Sequence, residues 1–323
     1  MRINSETRRL LPLLFPAMLL VMAPALSAQG MRGWRETAFQ PTAAGEWTGP
    51  KLPDGQPDIA GHWSNTVGNH NNLTDPQGPL GDDDEAPPRQ GGQRPPREPR
   101  PRASRAPSRI SDPADGSWPA QPWAKLKQQE FLKFLNNPIK PEYVEPFALC
   151  APGGPSKSFM WHGYEIRQYP GYVVFLFDSG NRVIHLDNPR HLPANIKLWN
   201  GDSRGHWVGN ALVVDTANNN SKARLGRTGE FVSENATIQE RFIFDPKGER
   251  FTYEATYTDP TVLTRPFTIT IPNRRVTDKT PADDWNNETF PAKHAGSDPV
   301  IEIWERVCVE GNGNHGQVVV SGK

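Results

Sequence analysis

The sequence predicts a mainly β protein: an antiparallel meander of about nine strands, closed or half-closed into a barrel, with one helix. Eight runs between residues 163 and 309 are rich in Val, Ile, Tyr, Phe and Thr, and several alternate with period 2. Turn signals such as Pro170-Gly171, Ser179-Gly-Asn181 and Pro246-Lys-Gly248 separate them. Connections this short make sequence neighbours antiparallel partners. A two-sheet sandwich is the alternative that the same pattern allows.

In chain order, Arg2, Arg8 and Arg9 precede an apolar run from Leu10 to Met22 and the small-residue stretch Ala23-Pro-Ala-Leu-Ser-Ala28. That arrangement predicts a signal peptide over residues 1–28, not a spanning helix, and hence a periplasmic or secreted protein. Thr7-Arg8-Arg9-Leu10-Leu11 is a loose match to a twin-arginine signal, and the ordinary secretory route is preferred. No later apolar run approaches the roughly 20 residues of a membrane span, so no transmembrane segment is expected. Residues 29–74 form an N-terminal segment in which Pro57–Ser64 is a candidate first strand. Residues 75–122 read as a disordered Pro/Arg-rich linker. They hold twelve prolines, and Arg89 to Arg109 holds seven arginines. The acidic knot Gly81-Asp-Asp-Asp-Glu85 lacks the spacing of a calcium loop. Residues 123–312 are the barrel-like domain and 313–323 a flexible tail. Lys plus Arg and Asp plus Glu both number 36, so no net field argues for nucleic acid as a partner.

The helix is expected over 123–135, with Trp123, Leu126, Glu130/Phe131 and Phe134 at helical spacing and Pro138 beyond its end, lying against a sheet or plugging an end of the barrel. Strands are expected at 163–169, 171–177, 181–187, 211–217, 237–245, 249–258, 265–272 and 300–309. Gly61-His62-Trp63 is echoed by Gly205-His206-Trp207, and a G-x-W opening resembles the first strand of lipocalin-type barrels, so the barrel is expected to be lipocalin-like. Cys150 and Cys308, in an exported chain, are expected to form a disulfide. Closing a loop of that length contributes on the order of 5 kcal/mol through chain entropy.

Three strands each place one charged group on an apolar face: Glu240 among Ile238, Phe242 and Phe244; Arg265 beside Phe267, Ile269 and Ile271; Glu305 with Ile301, Ile303 and Val307. An unpaired buried charge costs several kcal/mol, so such groups pair with each other, reach water or line a polar cavity. The run Arg182-Val-Ile-His-Leu-Asp187 sets Arg182, Ile184 and Leu186 against Val183, His185 and Asp187, with His191 on the Pro-containing loop that follows. A histidine oriented by a carboxylate suits proton transfer. The expected catalytic set is therefore His185 as base, Asp187 as its orienter, and Glu240 or Glu305 with Arg265 opposite. His191, Tyr253 and Trp304 are the expected ligand contacts. His185, Asp187 and His191 are a minority alternative as metal ligands; no cofactor is expected. Gly201-Asp-Ser-Arg-Gly-His-Trp-Val-Gly-Asn210 reads as a tight corner, and Ser203 is not in a G-x-S-x-G elbow.

The strings Pro53-Asp-Gly-Gln-Pro-Asp58, Gly61-His-Trp63, Pro170-Gly-Tyr172, His191-Leu-Pro193, Gly201-Asp-Ser-Arg-Gly205 with Trp207, Gly209 and Leu212-Val-Val214, and Glu310-Gly-Asn312 resemble the pattern of a large family of secreted, mostly uncharacterised bacterial proteins. The resemblance spans about Pro53 to Asn312. It implies an exported, β-rich, single-domain protein and carries no catalytic assignment. Two functions are expected from the residues themselves. One is cofactor-free acid–base catalysis (lyase, hydratase, isomerase or hydrolase) on a small apolar or aromatic molecule in an aromatic-lined cavity. The other is a small-molecule binding or carrier protein with the same cavity. Whether the interior charges and His185 converge on one cavity separates the two.

Overall fold

The computed structural model describes residues 41–65, 73–74, 108–134, 138–149, 151–160, 163–177, 180–277, 289–292 and 300–303. Nine strands close into a barrel in the order β1 (Gly61–Asn65), β3 (Tyr164–Tyr169), β4 (Tyr172–Phe177), β5 (Gly180–His185), β6 (Asp202–Val208), β7 (Ala211–Ala217), β8 (Thr237–Phe244), β9 (Arg250–Thr258) and β10 (Phe267–Val276). Pairing of His62 with Val276 and Trp63 with Arg275 shuts the ring. The short β2 (Ile110–Asp112) pairs farther along the same long strand, at Thr268 and Ile269. A separate pair joins β11 (Thr289–Ala292) to β12 (Val300–Ile303).

Two expectations about the chain's course need correction. The meander is not antiparallel throughout: β5 and β6 run parallel, with Ile184 opposite Ser203 and His185 opposite Arg204. A parallel neighbour needs a long crossover, which residues 186–201 provide. The stretch 201–210 is therefore a strand and its turn, rather than a corner alone. The second correction concerns 75–122, whose last part is ordered. Arg109 and Trp118 are buried, and Ile110 pairs with Ile269. Disorder over 75–107 and the Cys150–Cys308 pairing lie outside the described residues.

Period-2 alternation fills the barrel. Val173, Phe175 and Phe177 of β4, Phe242 and Phe244 of β8, and Phe251, Tyr253 and Tyr257 of β9 all point inward. A 3₁₀ turn, Lys157–Met160, inserts Phe159 among them, its ring centroid 4.6 Å from Tyr253 and 5.2 Å from both Phe175 and Phe177. Such ring pairs each contribute about 0.5–1.5 kcal/mol beyond the area they bury. At one end Trp63 meets Phe251 at 5.0 Å, with the Arg275 guanidinium 4.7 Å from its ring. The aromatic rings thus pack on one another around Phe159.

The helix α1 runs over Pro122–Lys133, with proline at its start where no backbone N–H is needed. Ala124 and Phe131 are its buried positions, whereas Trp123 and Leu126 are 48% and 67% exposed. The expected apolar face is thereby corrected. Phe131 docks on Phe231 at 6.1 Å and under the Arg224 guanidinium at 3.8 Å, so the 224–231 segment decides which side turns in.

Candidate functional site: a buried polar chain beneath a cleft

On β5 it is Arg182 and Ile184 that point inward, and Val183 and His185 that point outward. The reason is register. Arg182 sits opposite Phe175 and Ile184 opposite Val173, and cross-strand partners share a face. Arg182 meets Glu240, and both side chains are sealed from solvent. Arg182 Nη1 donates to Glu240 Oε1 at 2.8 Å, and Nη2 donates to Oε2. The guanidinium also donates to Ser203 Oγ (3.2 and 3.0 Å) and to Thr216 Oγ1 (3.0 Å). Thr216 donates to Glu240 Oε2 at 2.7 Å, and the Tyr253 hydroxyl donates to Oε1 at 2.6 Å. Burial opposes the charge on Arg182, but the adjacent carboxylate outweighs it, and the guanidinium is held protonated more firmly than in water.

The chain continues through Ser156, whose Oγ lies 2.8 Å from the Tyr253 hydroxyl and 2.5 Å from that of Tyr257. Burial first, and the Glu240 charge second, push the Tyr253 hydroxyl well above the ordinary phenol range. Burial likewise pushes Tyr257 up, with its bond to Ser156 opposing. Both phenols keep their protons, and that of Tyr253 goes to Glu240.

Ser156 and Tyr257 also border a small cleft with room for about 20 Å³, partly open to solvent. Its walls include Trp199, Ala223, Leu225 and Val232, which make it largely apolar. Gly154 stands at this cleft with a left-handed backbone (φ +84°), and a Cβ there would lie 2.8 Å from Ala223 Cβ. The backbone thus comes as close to the wall as glycine permits. Lys157 borders the cleft as well, but its Nζ bonds Glu145 and lies 4.7 Å from the centre of the Phe147 ring. Burial pulls the Lys157 ammonium below the usual lysine range, with Glu145 opposing. Nearby, burial pushes the Glu230 carboxyl up against the bonds it accepts from Thr228 and Thr74.

The expected site residues do not converge. Glu240 and Tyr253 are inside the barrel and hydrogen-bonded to each other. His185 is on the outer face, its ring 5.1 Å from that of Tyr172. Asp187 lies outside as well, its carboxyl carbon 3.5 Å or less from where a Cβ on Gly171 would stand. Arg265, expected opposite Glu240, is half-exposed and pairs instead with Asp112 at 2.7 Å. Glu305 and Trp304 lie outside the described residues. His191 belongs to a different assembly, with Nδ1 2.9 Å from Asp202 Oδ2 and Nε2 3.1 Å from Asp215 Oδ2. Asp202 also accepts from the Leu192 N–H at 3.0 Å and from Arg204 at 2.8 and 3.0 Å. His191 therefore staples the crossover to β6 and β7, and is not set beside His185 as a ligand contact. Among the described residues no group of three or more His, Cys, Asp or Glu side chains is placed to hold a metal ion.

Arg182, Ser156, Ser203, Thr216 and Tyr257 are the participants that sequence reasoning missed. Part of the signal was present, since Tyr253 and Tyr257 share a face with Ala255, and Thr216 follows Leu212 and Val214 on theirs. Ser156 carried none, because it lies in a loop brought under the barrel by Phe159.

No helix among the described residues is long and apolar enough to cross a membrane. No family model matches the chain, and neither a curated protein nor a solved structure does.

Proposed function

We propose that this is an exported small-molecule-binding protein whose ligand occupies the cleft beside residues 153–157. The observation that carries the reading is a mostly apolar cleft bordered by Ser156 and Tyr257, two residues whose hydroxyls belong to a hydrogen-bonded chain anchored on the Arg182–Glu240 pair. Binding sites commonly have this make-up: apolar walls supply affinity and a few immobilised polar groups supply orientation. Export rests on the basic and apolar start of the chain, Arg2 to Ala28.

The cofactor-free acid–base enzyme is a second reading. It is favoured by a continuous hydroxyl chain from the cleft to a carboxylate, and disfavoured by Arg182, which already engages both oxygens of that carboxylate. Binding without turnover is preferred on this ground.

The test is a panel of small aromatic and terpenoid compounds screened by thermal unfolding and native mass spectrometry. A compound present at 100 times its Kd adds about 2.7 kcal/mol, which raises Tm by about 2–4 °C per kcal/mol in a chain of this class. Ala223→Leu, which fills the cleft from its wall, is expected to abolish the shift at some cost in unliganded Tm, because the Gly154 backbone lies against that wall. A panel without any shift, or shifts that persist in Ala223→Leu, would refute the assignment.

A further inference from the structure

Helix α1 directs much of its apolar surface away from the barrel. Of its twelve residues only Ala124 and Phe131 are buried, while Trp123 and Leu126, one turn apart, are exposed. The segment that packs on the end of the helix, with Tyr143 stacked on Phe134 at 5.1 Å, exposes Ile139 and, farther on, Leu149. Four of the ten large apolar side chains exposed among the described residues therefore lie between 123 and 149. Exposed apolar residues scattered singly are ordinary, but a concentration of them marks a contact surface.

The charges around them select the partner. α1 carries Lys125, Lys127 and Lys133, all exposed, against the single acid Glu130, in a chain whose basic and acidic residues both number 36. Glu130 is engaged by the Tyr143 hydroxyl, and beyond the helix Lys140 and Glu142 offset each other at 3.8 Å. No acidic residue stands in the first turn and no side chain caps it, so the helix's own sequence leaves the positive end of its dipole unneutralised beside Trp123. Lys127 and Lys133 lay their stems along rings, with ammonium groups 5.0 Å from the centre of Phe231 and 5.2 Å from that of Phe134. The helix is also held rigidly. Phe131 docks on Phe231, and the Gln121 N–H donates to the Val262 carbonyl at 2.8 Å, so its outer side is presented without further ordering.

We propose that the outer side of α1, centred on Leu126 with Trp123, Lys125 and Lys133 around it, rests on a membrane surface rich in anionic lipid headgroups. The proposal is independent of the cleft. Trp and Leu enter the boundary between headgroups and acyl chains, and the lysines reach the lipid phosphates. Twelve helical residues span about 18 Å against a hydrocarbon core of about 30 Å, so the helix lies on the surface and does not cross it.

The experiment is flotation of the full chain with vesicles of phosphatidylcholine alone or of equal parts phosphatidylcholine and phosphatidylglycerol. The apolar run Leu10–Met22 is the same in every variant, so differences between variants belong to the substituted position. Leu126→Glu, at a side chain 67% exposed and thus free to change without unfolding the protein, is expected to lower partitioning into the anionic vesicles about tenfold. Lys125→Glu with Lys133→Glu is expected to lower it at least as much, and to leave phosphatidylcholine vesicles unaffected. Val208→Glu, at a site 56% exposed on the barrel wall, is the control and is expected to change nothing. Acylation of lysines by an amine-reactive reagent gives a local readout: anionic vesicles are expected to slow labelling of Lys125 and Lys133 several-fold. Partitioning unaltered by Leu126→Glu, or lowered equally by Val208→Glu, overturns the proposal. Labelling of Lys125 and Lys133 that vesicles leave unchanged also overturns it, and assigns this side of the helix to a protein partner instead.

Discussion

A guanidinium and a carboxylate inside an aromatic barrel persist only as a satisfied set, because either alone would leave a bare charge among rings. Removing one partner, by Arg182→Leu or Glu240→Leu, is expected to lower stability by roughly 3–5 kcal/mol. The double replacement is expected to cost less than either single change, since it leaves no unpaired charge. Urea denaturation of the three variants checks this, and additive losses would show that the two side chains are not coupled. Glu240 was legible in the sequence as a charge on the apolar face of β8, but its partner was not. Both faces of β5 mix apolar and charged residues, so alternation alone did not say whether Arg182 or His185 turned inward. The tie is broken one strand away, where Phe175 and Val173 stand opposite Arg182 and Ile184. Arg265 was misassigned for a related reason, because its partner Asp112 lies on β2, in a segment whose composition reads as disordered.

At the level of elements, the departure from a simple meander is the crossover 186–201 and the parallel β5–β6 contact that it enforces. Gly205 sits on this seam, where a Cβ would lie 2.7 Å from Ile184 Cγ2, and the small residue that made β6 look like a turn is what lets the strands approach. The period of a strand containing Gly205 and only one inward aromatic, Trp207, is too faint to read without its neighbours. The crossover is held by Asp202, which joins His191, the Leu192 N–H and Arg204. Burial alone would raise its pKa, but the hydrogen bonds from Arg204, Leu192 and His191 outweigh burial and hold the carboxyl below its ordinary value of 3.8. Because the folded-state value is the lower one, the unfolded chain binds the proton first. The stabilisation is therefore complete above the unfolded value and is lost as pH falls through the folded one. Asp202→Asn is expected to cost about 1.5–3 kcal/mol at neutral pH, as for hydrogen bonds to a charged group. The stability difference from wild type should shrink as pH falls below about 4. Equilibrium unfolding at pH 7, 5 and 3 checks it; a difference that stays constant would remove the carboxylate from the account.

Closing the whole barrel joins residues far apart in the chain, β1 at Gly61–Asn65 with β10 at Phe267–Val276, across the Pro/Arg-rich stretch that separates Trp63 from Trp118. The closed β architecture was legible from strand count and turn spacing, since those are local. The point at which that stretch rejoins the fold was not, because a three-residue strand and two hydrogen bonds leave no period to detect. Those bonds tie its two ends together: the Arg109 N–H donates to the Leu73 carbonyl at 2.8 Å, and Ser108 Oγ donates to the same oxygen at 3.1 Å. Ends already in contact need only a short connection. Replacing residues 75–107 with a four-residue Gly/Ser link is therefore expected to leave the barrel folded. Loop-closure entropy costs about 0.6 kcal/mol per doubling of length, so shortening over three doublings is expected to add roughly 2 kcal/mol of stability. Chemical denaturation of the shortened chain measures this, and cleft binding should be retained. A large loss of stability would instead mean that residues 75–107 contribute contacts of their own to the fold.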